Sequence, residues 1–398
     1  MIHMKKLFND HPLLCIYSVV FIFLCLGVFV TSGGIYFPML FCFLVSIYSF
    51  YILGYKILKK KQLKLPNVNS IAIPEILLAV IILLFLGHVI SMNGLPAFEC
   101  IEVSQLSKAV ELRKNITTRA HPIWNYISSI SIKALIPFAL VLFYRTNRKY
   151  AYWIVAVLGC VYAFTLMQKS HVLSVFIPLI ILFIYERKWI QVLKFSMPIL
   201  IVIASLVYVT NPQIRGGDND LSKTESTQSN SNKNVPFRVI ISLSNRVFIV
   251  PGEMVSEWFR CIPDEKPYLN GNGYEFYSKL NHSEFHDYAT ELYPLIRPEL
   301  AKKGIQGSVN VASFMREYSN FGLLGLILSG LITALFFLFI ENIFKASEIK
   351  IKLSLNLFFV FLLSSGSLST LLLSGGWFFM ILLFFVFKNQ LNGINAEG

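Results

Sequence analysis

Residues 13–30 read LLCIYSVVFIFLCLGVFV, eighteen consecutive residues without a charged side chain. A helix of about this length spans the hydrocarbon core of a bilayer, because each residue adds about 1.5 Å. Hydrocarbon offers backbone N–H and C=O groups no outside partner, so a spanning segment must be a helix or part of a closed barrel. The apolar character here is continuous rather than alternating, which predicts a transmembrane helix.

Similar runs recur along the whole chain. They cover residues 35–57, 71–90, 123–143, 150–167, 172–185, 195–210, 321–340, 353–370 and 375–388. The chain is 55% hydrophobic and only 14% charged, well below the roughly 25% charged residues of a soluble domain. The sequence therefore predicts an all-α polytopic membrane protein with about ten transmembrane helices. A further span near 237–255 would bring the number closer to twelve.

The basic residues are distributed asymmetrically. With the N-terminus inside, 17 Lys and Arg and six Asp and Glu fall on the cytoplasmic side, whereas 18 and 16 fall elsewhere. This is the pattern of the positive-inside rule. The net charge of +13 is thus a signal of orientation, with both termini cytoplasmic, and we expect no nucleic-acid partner.

The outer side carries most of the chain outside the membrane. We divide the sequence into residues 1–210 with seven helices and an outer loop at 91–122, a large periplasmic loop at 211–320, and residues 321–398 with three helices. Residues 217–234 (GDNDLSKTESTQSNSNKN) hold one Leu and no aromatic residue, a composition that predicts flexibility.

The rest of the large loop has more structure-forming character. Residues 237–259 (FRVIISLSNRVFIVPGEMVSEWF) mix apolar and basic residues at helical spacing and predict an amphipathic helix. A turn-rich stretch follows at 263–277 (PDEKPYLNGNGYEFY). Cys100 and Cys261 are the two cysteines that this topology places in outer loops, where oxidising conditions permit a disulfide between them.

The signatures of common soluble enzymes do not occur. The sequence lacks a Walker A loop, an H-E-x-x-H motif, C-x-x-C pairs and a G-x-S-x-G elbow. We therefore expect no metal and no cofactor.

Cationic side chains at the outer membrane boundary are the main candidates for chemistry. Lys133 lies about ten residues into the fourth apolar run, where an ionisable residue is costly and typical of function, although a lysine that snorkels to the interface is an alternative. Lys169 and His171 lie in the short connection Gln168-Lys169-Ser170-His171, which is alternatively a simple polar turn. Forked guanidinium groups on the same face suit phosphate or carboxylate, although a single arginine of this kind is more often solvated or in contact with lipid headgroups than a ligand-binding residue. They are Arg113, Arg119, Arg215, Arg238, Arg246 and Arg260.

Histidine is the natural candidate for proton transfer near neutral pH. We favour His171, because the topology places it at the lipid boundary, whereas His282 and His286 lie in a polar loop where a surface role is expected. Loop carboxylates are alternative bases, and their spacing singles out no pair. They are Glu253, Glu257, Asp264, Glu265, Glu291 and Glu317.

Three local patterns resemble a known family. They are Asn93-Gly94-Leu95-Pro96 followed by Arg113, the turn at 168–171, and residues 310–325 (NVASFMREYSNFGLLG), which are similar to a Tyr-x-Asp-Phe-Gly-x-x-Gly segment. With the overall architecture, they resemble the bacterial O-antigen repeat-unit polymerases of the Wzy type. The chain departs from the family at His171, where an arginine is expected, and at Asn320, where an aspartate is common.

The resemblance implies a C-type glycosyltransferase-like fold in the bacterial inner membrane. Such an enzyme transfers a growing glycan from one undecaprenyl-pyrophosphate carrier to another lipid-linked repeat unit at the periplasmic face. Its implied partners are the lipid-linked oligosaccharide, membrane lipids and a co-polymerase that regulates chain length. The expected catalytic residues are His171, Arg215 and Arg246. The expected substrate contacts are Arg113, Lys133, Lys169, Arg238, Arg260 and Tyr318.

Other classes remain compatible with the sequence. A lipid-linked oligosaccharide flippase or transporter explains the helices equally well, but it does not explain the large outer loop. A membrane-bound acyltransferase explains a histidine at the membrane surface. A structural or lipid-sensing protein is a third alternative.

Overall fold

The computed structural model describes residues 8–60, 73–103, 112, 115, 119–210, 245, 248–302, 304 and 307–392. Within these residues the chain is helical and contains no β-strand. The predicted all-α fold class is therefore confirmed. The apolar character of the helices is that of a membrane protein, as expected.

Ten helices coincide with the ten predicted apolar runs. They are α1 Pro12–Ser32, α2 Phe37–Lys60, α3 Pro74–Ser91, α5 Ile123–Arg145, α6 Lys149–Thr165, α7 Lys169–Tyr185, α8 Trp189–Thr210, α14 Met315–Ile343, α15 Ile349–Leu362 and α17 Trp377–Leu391. Shorter helices lie between them: α4 Pro96–Glu102, α9 Val250–Cys261, α10 Glu275–Leu280, α11 Tyr288–Glu291, α12 Tyr293–Ile296, α13 Pro298–Lys302 and α16 Leu368–Leu372.

Six helices of the described chain are long and apolar enough to cross a membrane: α1, α2, α3, α5, α8 and α14. α6, α7 and α17 are apolar but shorter, so the number of spans remains a prediction. Helix α9 confirms the second part of the predicted amphipathic segment. Its 12 residues are too few for a span.

One predicted run differs in the structure. Residues 353–370 form no continuous helix, because α15 ends at Leu362 and α16 begins at Leu368. The polar residues Ser364-Ser365-Gly366-Ser367 separate the two, and the Ser367 hydroxyl accepts a hydrogen bond from the Thr370 N–H at 3.3 Å. A serine at this position caps the start of the second helix.

The chain divides into two compact units. The first comprises Met1–Leu65, Asn232–Lys345 and Phe359–Leu371. In it, α14 packs along α2 and α9 packs on α1. Gly252 of α9 lies so close to the α1 backbone that a Cβ atom would collide with it, which explains a glycine at this crossing.

The second unit comprises Pro66–Ser231, Ala346–Phe358 and Leu372–Gly398. Here α5 contacts α6, α7 and α17, and its middle turn, Ser131–Leu135, is a π-helix. The Trp377 indole donates a hydrogen bond to the Asn356 side chain at 2.8 Å and ties α17 to α15. The division of the sequence into membrane and loop segments, like the orientation of the termini, stays a prediction.

The disulfide expected between Cys100 and Cys261 is not formed. Both residues are buried thiols, and the Cys100 thiol donates to the Val209 carbonyl at 3.4 Å. Burial raises the pKa of Cys261 to about 11, although Arg260 next to it favours the thiolate. A buried thiol that stays protonated near neutral pH is unreactive.

Candidate functional site

Several predicted site residues lie outside the described part of the chain. They are Arg113, Arg215, Arg238 and Arg246. The backbone of Lys169 begins α7, but its side chain is likewise outside the description. The expected roles of these five cations stay predictions. The described candidates are Lys133, His171, Arg260 and Tyr318.

Lys133 and His171 lie on two elements that pack against each other in the second unit. Lys133 projects from the π-helical turn of α5, and His171 lies in the first turn of α7, where it is 7% exposed. The Nδ1 atom of His171 has no hydrogen-bond partner among the described residues. π-helical turns are frequent at functional sites, so this pair is a candidate binding site for an anion.

Arg260 is occupied by carboxylates. Its guanidinium pairs with Glu257 at 2.9 Å and with Glu265, and hydrogen bonding to Glu257 raises its pKa. A phosphate would have to displace these carboxylates. In the structure, Arg260 therefore stabilises the end of α9.

Tyr318 is buried in the first unit. Its ring packs edge-to-face on Phe259, with the centroids 4.7 Å apart, and its hydroxyl donates to the Ile262 carbonyl at 3.1 Å. These contacts hold the chain after α9 against the start of α14. In the structure, Tyr318 supports the shape of the site rather than facing outward.

Asn320 connects α14 to the turn-rich stretch. Its Oδ1 atom accepts hydrogen bonds from the N–H groups of Gly271 at 3.1 Å and Gly273 at 3.0 Å. Its Nδ2 atom donates to the Arg316 carbonyl at 2.8 Å. An ionised aspartate could make the first two bonds but not the third. This explains how an asparagine suits the position where the family resemblance predicts aspartate.

Gly322 bends the start of α14. Its backbone (φ 59°, ψ −135°) interrupts the helix two residues after Asn320. A Cβ atom at Gly322 would lie 3.0 Å from the ring of Tyr268. The bend separates residues 315–321, which carry the polar side chains, from the apolar helix that follows.

Arg316 is held by neutral groups. Its guanidinium lies 4.7 Å from the centroid of the Tyr274 ring, donates to the Gly273 carbonyl at 3.3 Å and bonds the Ser369 hydroxyl. The Tyr274 hydroxyl reaches Glu317 at 3.4 Å, so a cation and a carboxylate flank the same ring. A guanidinium with neutral partners retains its charge for an anionic ligand.

Other arginines of the same unit differ in this respect. Arg297 pairs with Glu253 at 2.8 Å, and Arg260 has its two carboxylates. Arg316 is not among the site residues predicted from the sequence. The sequence feature that could have indicated Arg316 as a site residue is its position in the segment 310–325, four residues before Asn320. We call Tyr274, Arg316, Glu317, Asn320 and Ser369 the Arg316 cluster.

Comparison of the chain with family models, curated proteins and solved structures finds no match. In the described residues, no group of three or more His, Cys, Asp or Glu side chains could hold a metal ion.

Proposed function

We propose that the protein is a repeat-unit polymerase that transfers a growing glycan between undecaprenyl-pyrophosphate carriers. The observation that carries this proposal is Arg316, a guanidinium with neutral partners in the first turn of a membrane-spanning helix. The site would face the periplasm of a bacterial inner membrane, with both termini in the cytoplasm. A chain-length co-polymerase is a proposed partner.

The chemistry requires cations at the level of the lipid headgroups. When the glycosidic bond to the carrier breaks, negative charge develops on the departing diphosphate. A preorganised guanidinium stabilises this charge without nucleotide chemistry. Arg316 lies in the first turn of α14, and in the proposed orientation it would lie at the level of the lipid headgroups, where a lipid diphosphate would bind.

The reaction needs sites for two lipid diphosphates. Arg316 in the first unit is the described candidate for one of them, and Lys133 in the second unit is a separate candidate. Glu317 is a candidate base for the acceptor hydroxyl, in place of the predicted His171. The roles proposed for Arg113, Lys169, Arg215 and Arg246 rest on the family resemblance alone.

The test uses purified protein in detergent with a synthetic undecaprenyl-pyrophosphate repeat unit of its own host, without nucleotide or added metal. The expected result is a ladder of lipid-linked glycans on a gel. Transbilayer movement of the same lipid in liposomes without a ladder would support a flippase. Transfer of an acyl group without a ladder would support an acyltransferase.

A further inference from the structure

A polar cleft lies in the first unit, beside the loop that Asn320 holds. Its volume is about 300 Å³. The residues that line it are Lys266, Pro267, Tyr268, Leu269, Asn270, Asn272, His286, Tyr288 and Glu291. This volume is at the small end for ligand sites, which span roughly 300–1,000 Å³. It suits one or two small rings better than a lipid chain.

The cleft contains an oriented imidazole. His286 Nδ1 lies 2.9 Å from Glu291 Oε1, and the other oxygen of this carboxylate lies 3.4 Å from Lys266 Nζ. A carboxylate at Nδ1 favours the tautomer with the proton on Nδ1, which leaves Nε2 as an acceptor. Tyr288 stabilises the wall of the cleft, because its hydroxyl donates a hydrogen bond to the Pro267 carbonyl at 2.6 Å.

The remaining lining suits hydroxyl groups. Asn270 donates one amide N–H to the Tyr268 carbonyl at 3.3 Å and keeps its other N–H and its Oδ1 atom for a ligand, whereas Asn272 Oδ1 accepts from the Ser283 hydroxyl at 2.6 Å and leaves the amide N–H groups of Asn272 as donors. A sugar hydroxyl is both a donor and an acceptor. The ring of Tyr268 provides an apolar face for the C–H surface of a sugar. Apart from Leu269 and Pro267, every side chain that lines the cleft carries a polar group. The lining thus combines carbon surface with several polar groups, as the ring and the hydroxyl groups of a sugar require.

The cleft and the Arg316 cluster share one loop. The Asn272 carbonyl accepts a hydrogen bond from the His286 N–H at 3.1 Å, and the next residue, Gly273, accepts one from Arg316. Adjacent peptide groups thus hold the histidine of the cleft and the arginine of the cluster. A glycan in the cleft would lie next to the proposed diphosphate site.

We propose that this cleft binds a sugar ring of the acceptor glycan, with His286 Nε2 and the amides of Asn270 and Asn272 bonded to its hydroxyl groups. This assignment rests on the proposed polymerase function. It also gives His286 a role that differs from the surface role expected from the sequence.

The kinetic test varies the concentration of the acceptor in the ladder assay. For His286→Gln and Asn270→Ala, we expect the acceptor concentration at half-maximal rate to rise about tenfold, with the maximal rate within about twofold of wild type. Lys279→Gln is the matched control, because Lys279 is exposed in the same segment and pairs with Glu275 at the surface. The control should behave as wild type.

A binding experiment distinguishes the proposal of a sugar-binding cleft from the proposal of a polymerase. The free oligosaccharide of the same repeat unit is added to the protein, and saturation-transfer NMR reports its contact. Contact that both cleft variants lose and Lys279→Gln retains supports the cleft, even if wild type makes no ladder and the polymerase proposal fails. A wild-type ladder with unchanged kinetics in both variants would overturn the cleft and leave the polymerase proposal standing. Absence of contact in wild type would also overturn it.

Discussion

Asn320 Oδ1 accepts a hydrogen bond from the backbone N–H of Gly273 at 3.0 Å, and this bond joins the start of α14, a helix long and apolar enough to cross a membrane, to the turn-rich stretch of the preceding segment. The side chain of Asn320 is fully buried. The carbonyl of the same Gly273 accepts a hydrogen bond from the Arg316 guanidinium. The position of the arginine therefore depends on this asparagine.

Substitutions of Asn320 should distinguish its role as an acceptor for the loop N–H groups from its role as a donor to the Arg316 carbonyl. Asn320→Ala leaves two buried N–H groups without an acceptor, so we expect the free energy of unfolding to fall by about 2–4 kcal/mol. Asn320→Asp retains the acceptor but loses the bond to the Arg316 carbonyl, and its loss should be smaller. Thermal unfolding in detergent measures both. An aspartate variant less stable than the alanine variant would contradict the arrangement.

Gly322 should not tolerate a side chain. Its backbone conformation is one that residues other than glycine rarely adopt, and a Cβ atom would press on Tyr268. We expect Gly322→Ala to lower stability by about 1–3 kcal/mol. Gly366→Ala is the control, because its nearest neighbour would be 3.6 Å away and its stability should be almost unchanged. Equal melting temperatures for both variants would show that the bend is not required.

The charged cluster around Glu186 should make the second unit sensitive to acid. Burial alone would raise the pKa of Glu186, but hydrogen bonds from Lys188, Tyr144 and Lys350 outweigh it and hold the pKa below 4.5. Because the folded-state pKa is depressed, this stabilisation is present above pH 4.5 and is lost as the pH falls through the folded-state pKa.

The melting temperature should therefore stay constant near neutral pH and decrease in acid. In Glu186→Gln it should be lower at pH 7, and the difference from wild type should shrink in acid. A constant difference across the range would show that ionisation of Glu186 does not contribute.

Substitution of Lys133 should distinguish a lysine with a function from one that only snorkels to the membrane interface. Lys133→Met removes an intramembrane charge, so stability should be unchanged or higher. If Lys133 binds a diphosphate, the rate of transfer should fall about 100-fold. Lys194→Met, at an exposed lysine of α8 in the same unit, should retain the wild-type rate. Full activity of Lys133→Met would identify a snorkelling lysine.

The helices were largely predictable because lipid imposes one requirement, a continuous apolar run, and each of the ten runs contains a helix. The break between Leu362 and Leu368 was not predicted, because small polar residues such as Ser364 and Gly366 also occur within membrane helices. The disulfide failed for a different reason. The sequence supplies two cysteines in predicted outer loops but not the geometry of a bond between them.

The site was less predictable than the fold. A sequence does not show which arginines have carboxylate partners, so Arg260 was selected and Arg316 was overlooked. His286 had the appearance of a surface residue until Glu291, five positions later, was found at its Nδ1 atom. In both cases the role depends on neighbours that only the folded loop brings together.

The most direct test of the central claim compares Arg316→Gln with Arg297→Gln in the ladder assay. Arg297 is the matched control, because it lies in the same unit and a carboxylate already neutralises it. We expect Arg316→Gln to lower the rate of transfer by about 100-fold or more, and Arg297→Gln to remain within about twofold of wild type. An Arg316→Gln protein that retains more than half of the wild-type rate would contradict the claim that this guanidinium stabilises the departing diphosphate.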